Sequence, residues 1–323
     1  MKYFVFILLS SFSLQPIFCQ QKTNPQNQDE ELGKVAWYRD YDTALQLATK
    51  ESKPVLILFQ EVPGCATCRN YGHKVLSNPL MTEAIENEFI PLAIFNNKRG
   101  KDKEILNKYN EPAWNNPVVR IVNANGDNIV QRVASDYSAR GLYNAMVSAL
   151  KETGNPIPEY MKILGKELSA APSKTKETYY SMYCFWTGEK QLGSQEGVLN
   201  TEAGFMKGRE VVKVTYNPEV IGNKTLTNFA LQHQMKPIAE DNSYYHSKKD
   251  EDYYLQHSNF KYLPLSKLQR TKINSALGSR KNPYIYLSPS QKIWLDNIGS
   301  TRKKGGILYN KEFTASWNKL ATE

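Results

Sequence analysis

Three cysteines are the residues of this sequence with the clearest capacity for chemistry. Cys65 and Cys68 are separated by two residues, and Cys184 lies far along the chain. A two-residue spacing lets both sulfurs meet within one turn of a helix, where one thiolate attacks a disulfide and the other resolves the product. The sequence therefore predicts a redox-active dithiol at Cys65 and Cys68.

A zinc site is the main alternative for this pair, because Cys-x-x-Cys is also half of a zinc-binding motif. A structural zinc ion needs four ligands, and no second Cys-x-x-Cys or His-x-x-His recurs in the sequence. His73 alone is interpreted as a surface or packed histidine. We therefore favour redox chemistry and predict neither a metal nor another cofactor.

The segments around the pair predict how it is positioned. Residues 55–59 form a continuous apolar run typical of a buried strand, and the pair follows this run after a short loop. A helix after the loop would place Cys65 at its N-terminus, where unpaired amides favour the thiolate. Strand-type and helix-type segments alternate over residues 35–151, with a hairpin signal at Asn125-Gly126, which predicts a layered α/β domain.

This arrangement resembles a thioredoxin-fold domain over roughly residues 35–151. The resemblance is carried by the strand, the Cys-x-x-Cys turn and Asn116-Pro117 at the entry to a later strand. In that family the proline is cis and lies beside the active disulfide, so Pro117 is expected to contact the substrate; a simple strand-entry turn is the alternative. The residues that flank and separate the two cysteines differ from thioredoxin proper, which leaves the redox potential open.

Cys184 is the second candidate nucleophile. Phe185 and Trp186 follow it directly, and Glu210 opens a later segment that alternates like a strand. Read by chemistry alone, a thiol, two aromatic rings and an acid predict a small apolar pocket with a proton donor. The alternative is a cysteine packed among core aromatics, since free cysteine is commonly buried.

The ordered set resembles an A-type methionine sulfoxide reductase over roughly residues 179–260. In that family the cysteine of a Gly-Cys-Phe-Trp-Gly motif is the nucleophile, and a Glu at the start of a Val-Val-x-Val-x-Tyr strand donates a proton. The resemblance implies that Cys184 attacks the sulfoxide sulfur, that Glu210 protonates its oxygen, and that Phe185 and Trp186 enclose the S-methyl group. Phe205 stands where the family has a Tyr that binds the sulfoxide oxygen.

The sequence also departs from this family. Tyr183 and Thr187 replace the two glycines of the motif, and Phe205 lacks a hydroxyl group. The family's Asp-x-Gly-x-x-Tyr motif is missing, although Tyr244, Tyr245 or Asp241 could replace it. The resemblance therefore implies either a reduced catalyst or a domain that binds substrate without turning it over.

The cysteine count connects the two halves. No further cysteine follows Cys184, so its oxidised form has no resolving thiol in its own domain. We expect Cys65 to attack oxidised Cys184 in cis and Cys68 then to close the Cys65–Cys68 disulfide. The predicted partners are oxidised proteins or peptides as substrates and a thiol electron donor that the sequence does not identify. Two alternatives stay open: a disulfide reductase with an inactive peptide-binding second domain, and a non-enzymatic binding module.

The first residues predict export. Lys2 precedes an apolar run over residues 3–14, which is the size of a secretory signal and too short to span a bilayer. Cleavage is expected after Cys19, and a lipid anchor on Cys19 is the minor alternative. The mature chain is predicted to be periplasmic or extracellular, with no membrane span.

Length and charge complete the prediction. A chain of 323 residues with 41% hydrophobic residues is expected to form two globular domains. The net charge of +9 is spread among acids, so a nucleic-acid groove is not predicted. We predict an α/β thioredoxin fold followed by an α+β domain. The expected segments are a signal at 1–19, a flexible lead-in at 20–34, a thioredoxin-like domain at 35–151, a linker at 152–178, and a methionine sulfoxide reductase A-like domain at 179–323.

Overall fold

The structure is a computed structural model that describes residues 22–170 and 172–321. The segment interpreted as a secretory signal, with Cys19, lies outside the described residues. None of the helices in the two described ranges has the length and apolar character needed to cross a bilayer.

β1 (Val55–Gln60) is the central strand of a three-stranded sheet. It pairs in parallel with β2 (Ile90–Phe95) and antiparallel with β3 (Val118–Val122), so the strand order is β2-β1-β3. All six residues of β1 are buried, and alternate side chains enter two hydrophobic clusters, one on each face of the sheet. This double burial explains why the strand appears in the sequence as an unbroken apolar run.

Helices cover both faces of this sheet. In chain order they are α1 (Tyr41–Glu51), α2 (Ala66–Lys74), α3 (Pro79–Glu88), α4 (Lys101–Lys108), α5 (Ala139–Glu152) and α6 (Glu159–Ser169). The side chains of Asp40, Asn78 and Ser138 cap α1, α3 and α5 by accepting hydrogen bonds from backbone amides of the first turn. We call residues 22–169 the N-terminal unit.

The strand pairing after β3 is shorter than the sequence predicts. The turn at Asn125-Gly126 forms, with Gly126 at a φ of 86°. The returning chain makes isolated bridges at Asn128 and Val133 rather than a strand. Residues 127–132 are exposed or half-buried, so little apolar burial holds a longer ladder.

The segments predicted as lead-in and linker contribute to the core of the N-terminal unit. A short 3-10 helix, Glu30–Leu32, packs against α2, and Glu31 and Leu32 are buried. Within residues 152–178, α6 buries Tyr160 and Leu164 in the same cluster as α3 and β1. The chain between the two sheets therefore contains a packed helix as well as irregular segments.

A second, antiparallel sheet begins at residue 176. Its strands are β4 (Lys176–Met182), β5 (Val198–Met206), β6 (Arg209–Tyr216), β7 (Lys236–Ile238) and β8 (Tyr245–His246), in the order β7-β4-β6-β5-β8. Helices α7 (Phe185–Gly193) and α8 (Asn223–Gln232) share a hydrophobic cluster with one face of the sheet. We call residues 176–321 the C-terminal unit.

Short helices fill the rest of the C-terminal unit. They are α9 (Tyr253–Gln256), α10 (Lys267–Gly278), α11 (Pro289–Asp296), α12 (Ile298–Gly305) and α13 (Phe313–Ala321), with 3-10 turns at Asn259–Tyr262 and Pro283–Tyr286. A further 3-10 turn, Pro172–Lys174, lies between the two units. A capping box formed by Ser266 and Gln269 opens α10. α10 packs along α7 and so supports the helix that follows Cys184.

The two units pack against each other through α3 and α6. Both carboxylate oxygens of Glu83 accept hydrogen bonds from Ser290, at 2.8 Å from its amide and 2.6 Å from its hydroxyl. Glu167 accepts from the Leu268 amide at 3.1 Å, and Leu268 itself belongs to the hydrophobic cluster of the N-terminal unit. These hydrogen bonds and the packing of Leu268 join the two units in this structure.

Candidate functional site

The first candidate site lies where β1 leads into α2. Cys65 is the N-cap residue of α2, and Cys68 follows in its first turn, with 3.5 Å between the two sulfurs. Cys65 is exposed, whereas Cys68 is buried. The two-residue spacing has therefore placed one sulfur at the surface and the other directly behind it.

The two thiols have opposite acidities. A hydrogen bond from the Cys68 backbone amide lowers the pKa of Cys65, because that amide is unpaired within the helix. Burial, followed by the hydrogen bond with Cys65, raises the pKa of Cys68 to about 12. Cys65 is thus the thiol that is ready to attack, and Cys68 keeps its proton.

The acidity difference predicts selective alkylation. With iodoacetamide, we expect Cys65 to react half-maximally at a lower pH than an ordinary free thiol, because its folded-state pKa is lowered. Cys68 should stay unlabelled across the same range, because it is buried and its pKa is raised. Peptide mapping by mass spectrometry measures both rates, and equal labelling of the two residues would contradict the assignment.

Pro117 belongs to the same site. The Asn116–Pro117 peptide bond is cis, Pro117 is buried, and Asn116 accepts a hydrogen bond from the Cys68 thiol at 2.7 Å. Trp114, two residues before Asn116, is 83% exposed. Cys65, Cys68 and the proline loop therefore lie together, with an exposed aromatic ring in the loop.

A metal is not required to explain this cluster. Within the described ranges, one group of three potential ligands occurs, namely Glu61, Cys65 and Cys68, whose ligand atoms lie within 4.8 Å of one another. A closed zinc site needs a fourth protein ligand. His73 lies on the far part of α2, where it pairs with Glu30 at 2.7 Å.

The second candidate site lies between β4 and α7. Cys184 is the half-buried N-cap residue of α7 and has an extended backbone. Glu210, near the start of the central strand β6, pairs with Met182 of β4 on one side and Phe205 of β5 on the other. Its carboxylate accepts a hydrogen bond from the Phe185 amide at 2.7 Å. The carboxyl group of Glu210 therefore contacts the backbone of Phe185, the residue that follows Cys184.

Aromatic rings form one wall of this site. Phe185 contacts Phe205 edge to face, with ring centroids 5.4 Å apart. Trp186 stacks on Tyr253 at 3.9 Å, and Phe205 stacks on Tyr245 at 5.2 Å. In the described part of the chain, the buried indole N–H of Trp186 has no hydrogen-bond partner. The wall therefore contains the predicted residues Phe185, Trp186 and Phe205, together with Tyr245 and Tyr253.

Sequence reasoning left open whether Tyr244, Tyr245 or Asp241 replaces the missing motif, and it gave Tyr253 no role in this wall. Tyr253 follows a turn at Asp252, and its stacking on Trp186 depends on the tertiary packing of α9. The hydroxyl of Tyr244 donates to Glu202 at 2.6 Å, whereas Tyr245 is 61% exposed. The signal that could have selected Tyr245 is its place beside Phe205, the position that lacks a hydroxyl group.

Buried acids hold α7 in place from behind. Glu189 of α7 accepts from the Asp252 amide at 3.0 Å, and Asp252 pairs with Arg270 at 2.9 Å. Burial and the neighbouring carboxylate of Asp252 raise the pKa of Glu189 well above its ordinary value. The raised pKa favours the neutral form of Glu189, which is the form that costs less to bury beneath the Cys184 helix.

Open space beside Glu210 continues the site along the sheet edge. A shallow cleft of about 340 Å³ is lined by Ser181, Met182, Tyr183, Arg209, Glu210, Gln234 and Lys236. Tyr183, next to Cys184, is 98% exposed. Larger cavities of about 590 and 510 Å³ have neither Glu210 nor a sequence neighbour of Cys184 in their linings, whereas Tyr183 and Glu210 both line the smaller cleft, so we place the chemistry beside it.

The two sets of predicted residues form two separate sites. Cys65, Cys68 and Pro117 lie in one, and Cys184 and Glu210 lie in the other with the aromatic wall. The Cys65–Cys68 contact is the one sulfur–sulfur contact within the described residues, and all three cysteines there are free.

Comparisons with known proteins find similarity to two kinds of protein. A family model described as thioredoxin-like matches residues 36–124. A peptide methionine sulfoxide reductase MsrA from Methanococcus maripaludis is 32% identical over 73 residues, which cover 17% of this chain and 46% of that protein. A protein of the same description from Pseudomonas aeruginosa is 31% identical over 87 residues, covering 21% of this chain and 40% of that protein.

The curated matches are partial, since the chain spans less than half the length of these two reductases. Among solved structures, a DsbH oxidoreductase matches with a TM-score of 0.32 and 18% identity, covering 39% of this chain and 91% of the other. The predicted fold class, a thioredoxin fold followed by a further α/β unit, is confirmed. The chain contains a thioredoxin-like domain at residues 36–124 and has partial similarity to peptide methionine sulfoxide reductases.

Proposed function

We propose that this chain is an exported thiol oxidoreductase that reduces methionine-S-sulfoxide in proteins and peptides. Thiol oxidoreductase chemistry is supported by the thioredoxin-like match and the Cys65–Cys68 pair. The specific reaction is supported above all by the Glu210 carboxylate, which lies 2.7 Å from the amide of the residue after Cys184. That contact holds a carboxyl group beside the residue that follows Cys184 and that belongs to the aromatic wall, which supports the roles proposed for Cys184 and Glu210.

In the proposed reaction, the aromatic wall binds the S-methyl group of the substrate. Glu210 protonates the sulfoxide oxygen, which makes the sulfur electrophilic, and the Cys184 thiolate attacks that sulfur. The sulfur–oxygen bond of the substrate breaks, methionine leaves, and Cys184 retains the oxygen as a sulfenic acid. Cys184 is oxidised by two electrons, and the sulfoxide is reduced by the same two.

Tyr245 supplies the hydroxyl group that Phe205 lacks. Its ring stacks on Phe205 at 5.2 Å and is 61% exposed. The hydroxyl of Tyr244 already donates a hydrogen bond to Glu202 and is not available for this role. A second donor to the sulfoxide oxygen would stabilise the charge that develops as the bond breaks.

Cys65 and Cys68 restore Cys184. The Cys65 thiolate attacks the sulfenic sulfur and releases water, which leaves a Cys65–Cys184 disulfide. Cys68 then attacks Cys65, frees the Cys184 thiol and closes the Cys65–Cys68 disulfide. An external dithiol reduces that disulfide. Covalent linkage of the units raises the effective concentration of Cys65 near Cys184.

Trapping tests this relay. We expect a Cys68→Ser chain treated with methionine-S-sulfoxide to accumulate a Cys65–Cys184 bridge, because the resolving thiol is missing. Non-reducing peptide mapping detects it. The control is a Cys65→Ser chain, which should form no bridge. Single turnover of the sulfoxide without any bridge would contradict transfer to Cys65.

A simpler function is favoured by one observation. Cys65 is exposed, and so is Trp114 in the proline loop, so the dithiol can act on other proteins without Cys184. In that case the chain is a disulfide reductase whose C-terminal unit binds peptides. Sulfoxide reduction that depends on Cys184 distinguishes the two functions.

Export is part of the proposal. The apolar run behind Lys2 supports a secretory signal, and the mature chain would then act in the periplasm or outside the cell. A lipid anchor on Cys19 is the minor form of this proposal. A mass measurement of the N-terminus of the secreted chain decides between them.

A further inference from the structure

The positive charge of the chain is concentrated in the last part of the C-terminal unit. The N-terminal unit contains 18 Lys plus Arg and 18 Asp plus Glu, so its charges balance. Residues 253–321 contain 12 Lys plus Arg and two Asp plus Glu, which gives this segment a net charge of +10. The expectation that cations are spread among acids therefore holds for the N-terminal unit but is wrong for this helical segment.

Two cations of the segment have partners inside the protein. Arg270 pairs with Glu251 at 2.7 Å and with Asp252 at 2.9 Å. The amine of Lys272 is buried and donates to two backbone carbonyls near the C-terminal end of α7. The exposed cations that form no ion pair within the described residues include Arg280, Lys281, Lys292, Arg302, Lys303 and Lys311. These side chains therefore contribute little to the fold through ion pairing.

Several elements of this segment meet at the 3-10 turn Asn259–Tyr262. Both α11 and α12 pack against this turn. The amine of Lys261 and the guanidinium of Arg302 lie over the ring of Tyr262, at 5.4 and 5.7 Å from its centroid. The backbone carbonyl of Lys261 accepts a hydrogen bond from the Leu308 amide at 2.9 Å. The loop after α12 is therefore held beside the same turn.

Apolar side chains are exposed next to these cations. Ile307 lies in the loop after α12 and is 48% exposed. Tyr284 contacts Phe260 of the 3-10 turn edge to face, with ring centroids 5.6 Å apart, and Tyr284 and its neighbour Ile285 are each 44% exposed. We define the basic surface as Lys261, Tyr284, Ile285, Arg302, Lys303 and Ile307. It combines cations with aliphatic side chains that are half in water.

We propose that the basic surface binds a membrane surface that contains anionic lipids. The lysines and arginines would lie at the headgroup phosphates, and the isoleucines would enter the boundary between headgroups and acyl chains. Cations alone suit any polyanion, but exposed isoleucines gain apolar contacts at a lipid boundary and few on a nucleic-acid backbone. None of these residues lies in either candidate site, so the inference does not depend on the proposed reaction.

Co-sedimentation with lipid vesicles tests this proposal. The mature chain beginning at residue 20 is used, so that no lipid anchor on Cys19 contributes. Vesicles of phosphatidylcholine with about 40% phosphatidylglycerol are compared with vesicles of phosphatidylcholine alone. We expect the chain to bind the anionic vesicles at about 50 mM salt and to bind them at least about tenfold more weakly at about 500 mM, because salt screens the attraction. Binding to the neutral vesicles should be too weak to measure.

Matched pairs of substitutions locate the surface. Arg302→Gln with Lys303→Gln should weaken binding to the anionic vesicles by ~30-fold, the scale of two cations near such a surface. Lys98→Gln with Arg99→Gln removes the same two side-chain types from an exposed loop of the N-terminal unit. This second pair should bind within about twofold of the parent chain. Far-ultraviolet circular dichroism checks that both variants are folded.

The apolar part of the surface has its own test. Ile307→Ser should weaken binding to the anionic vesicles by about fivefold, because about half of the side chain remains to be removed from water. Val220→Ser replaces an exposed aliphatic side chain outside the basic surface and should leave binding unchanged. Unchanged binding in the Ile307 variant would contradict the proposed contact with the acyl boundary.

Four further outcomes would overturn the inference. The first is no binding to anionic vesicles at low salt, and the second is equal binding to anionic and neutral vesicles. The third is an equal loss with the Lys98 and Arg99 pair, which would show that overall charge and not this surface is responsible. The fourth is binding to duplex DNA as tight as to the vesicles at the same salt concentration, which would identify the surface as a site for polyanions in general.

Discussion

Replacing Cys184 with Ala is expected to abolish reduction of methionine-S-sulfoxide, because the substrate sulfur then has no nucleophile to attack it. Disulfide reduction by Cys65 and Cys68 should persist, since that pair lies in the other unit. Chromatographic measurement of methionine formed with dithiothreitol follows the first activity. Reduction of a small disulfide follows the second and shows that the variant is folded.

The opposite pattern would contradict the role proposed for Cys184. If the Cys184→Ala chain still forms methionine and a Cys65→Ser chain does not, the dithiol acts on the substrate by itself. A Cys184→Ser chain keeps the size of the side chain and serves as the matched control. It should be as inactive as the alanine variant, because a neutral hydroxyl is a poor nucleophile.

The second large effect concerns Glu210. Glu210→Gln keeps an oxygen that can accept from the Phe185 amide but loses the acidic proton. We therefore expect kcat for sulfoxide reduction to fall by ~10²–10³-fold, on the scale of lost general-acid catalysis, with a smaller change in KM. Steady-state kinetics with methionine-S-sulfoxide and dithiothreitol measure both constants.

Glu177→Gln is the matched control for this prediction. Glu177 lies on β4 of the same sheet, is exposed, and pairs with Lys213 at 3.2 Å. Its replacement should leave kcat unchanged within about twofold, since exposed ion pairs contribute little. An unaltered kcat in the Glu210 variant would remove Glu210 from the proposed mechanism.

Local signals in the sequence predict much of the N-terminal unit. The apolar run at 55–59 forms β1, and Asn78-Pro79 opens α3, because burial on both faces and N-capping are encoded by neighbouring residues. The dithiol also follows from spacing, since a helix begins directly after Cys65. These features need no information about distant parts of the chain.

Features that depend on distant contacts could not be predicted. Gly154 and the following prolines suggest a connector, but the apolar side of α6 packs into the core of the N-terminal unit. The two-residue strand β8 exists because it pairs with β5, which brings Tyr245 onto Phe205. The stacking of Tyr253 on Trp186 likewise depends on how α9 packs. Elements as short as β8 and α9 have weak sequence patterns of their own. Their positions depend on the distant residues against which they pack.

The transfer of electrons from the Cys65–Cys68 dithiol to Cys184 can be tested by counting the methionine formed without added reductant. A fully reduced chain has two sources of electrons, the dithiol and Cys184. We expect about two methionines per chain. Cys184 forms the first, the dithiol then reduces Cys184 once, and Cys184 forms the second and remains a sulfenic acid. A chain with both Cys65→Ser and Cys68→Ser should give about one. No methionine from the reduced wild-type chain, or an equal yield with and without the dithiol, would contradict it.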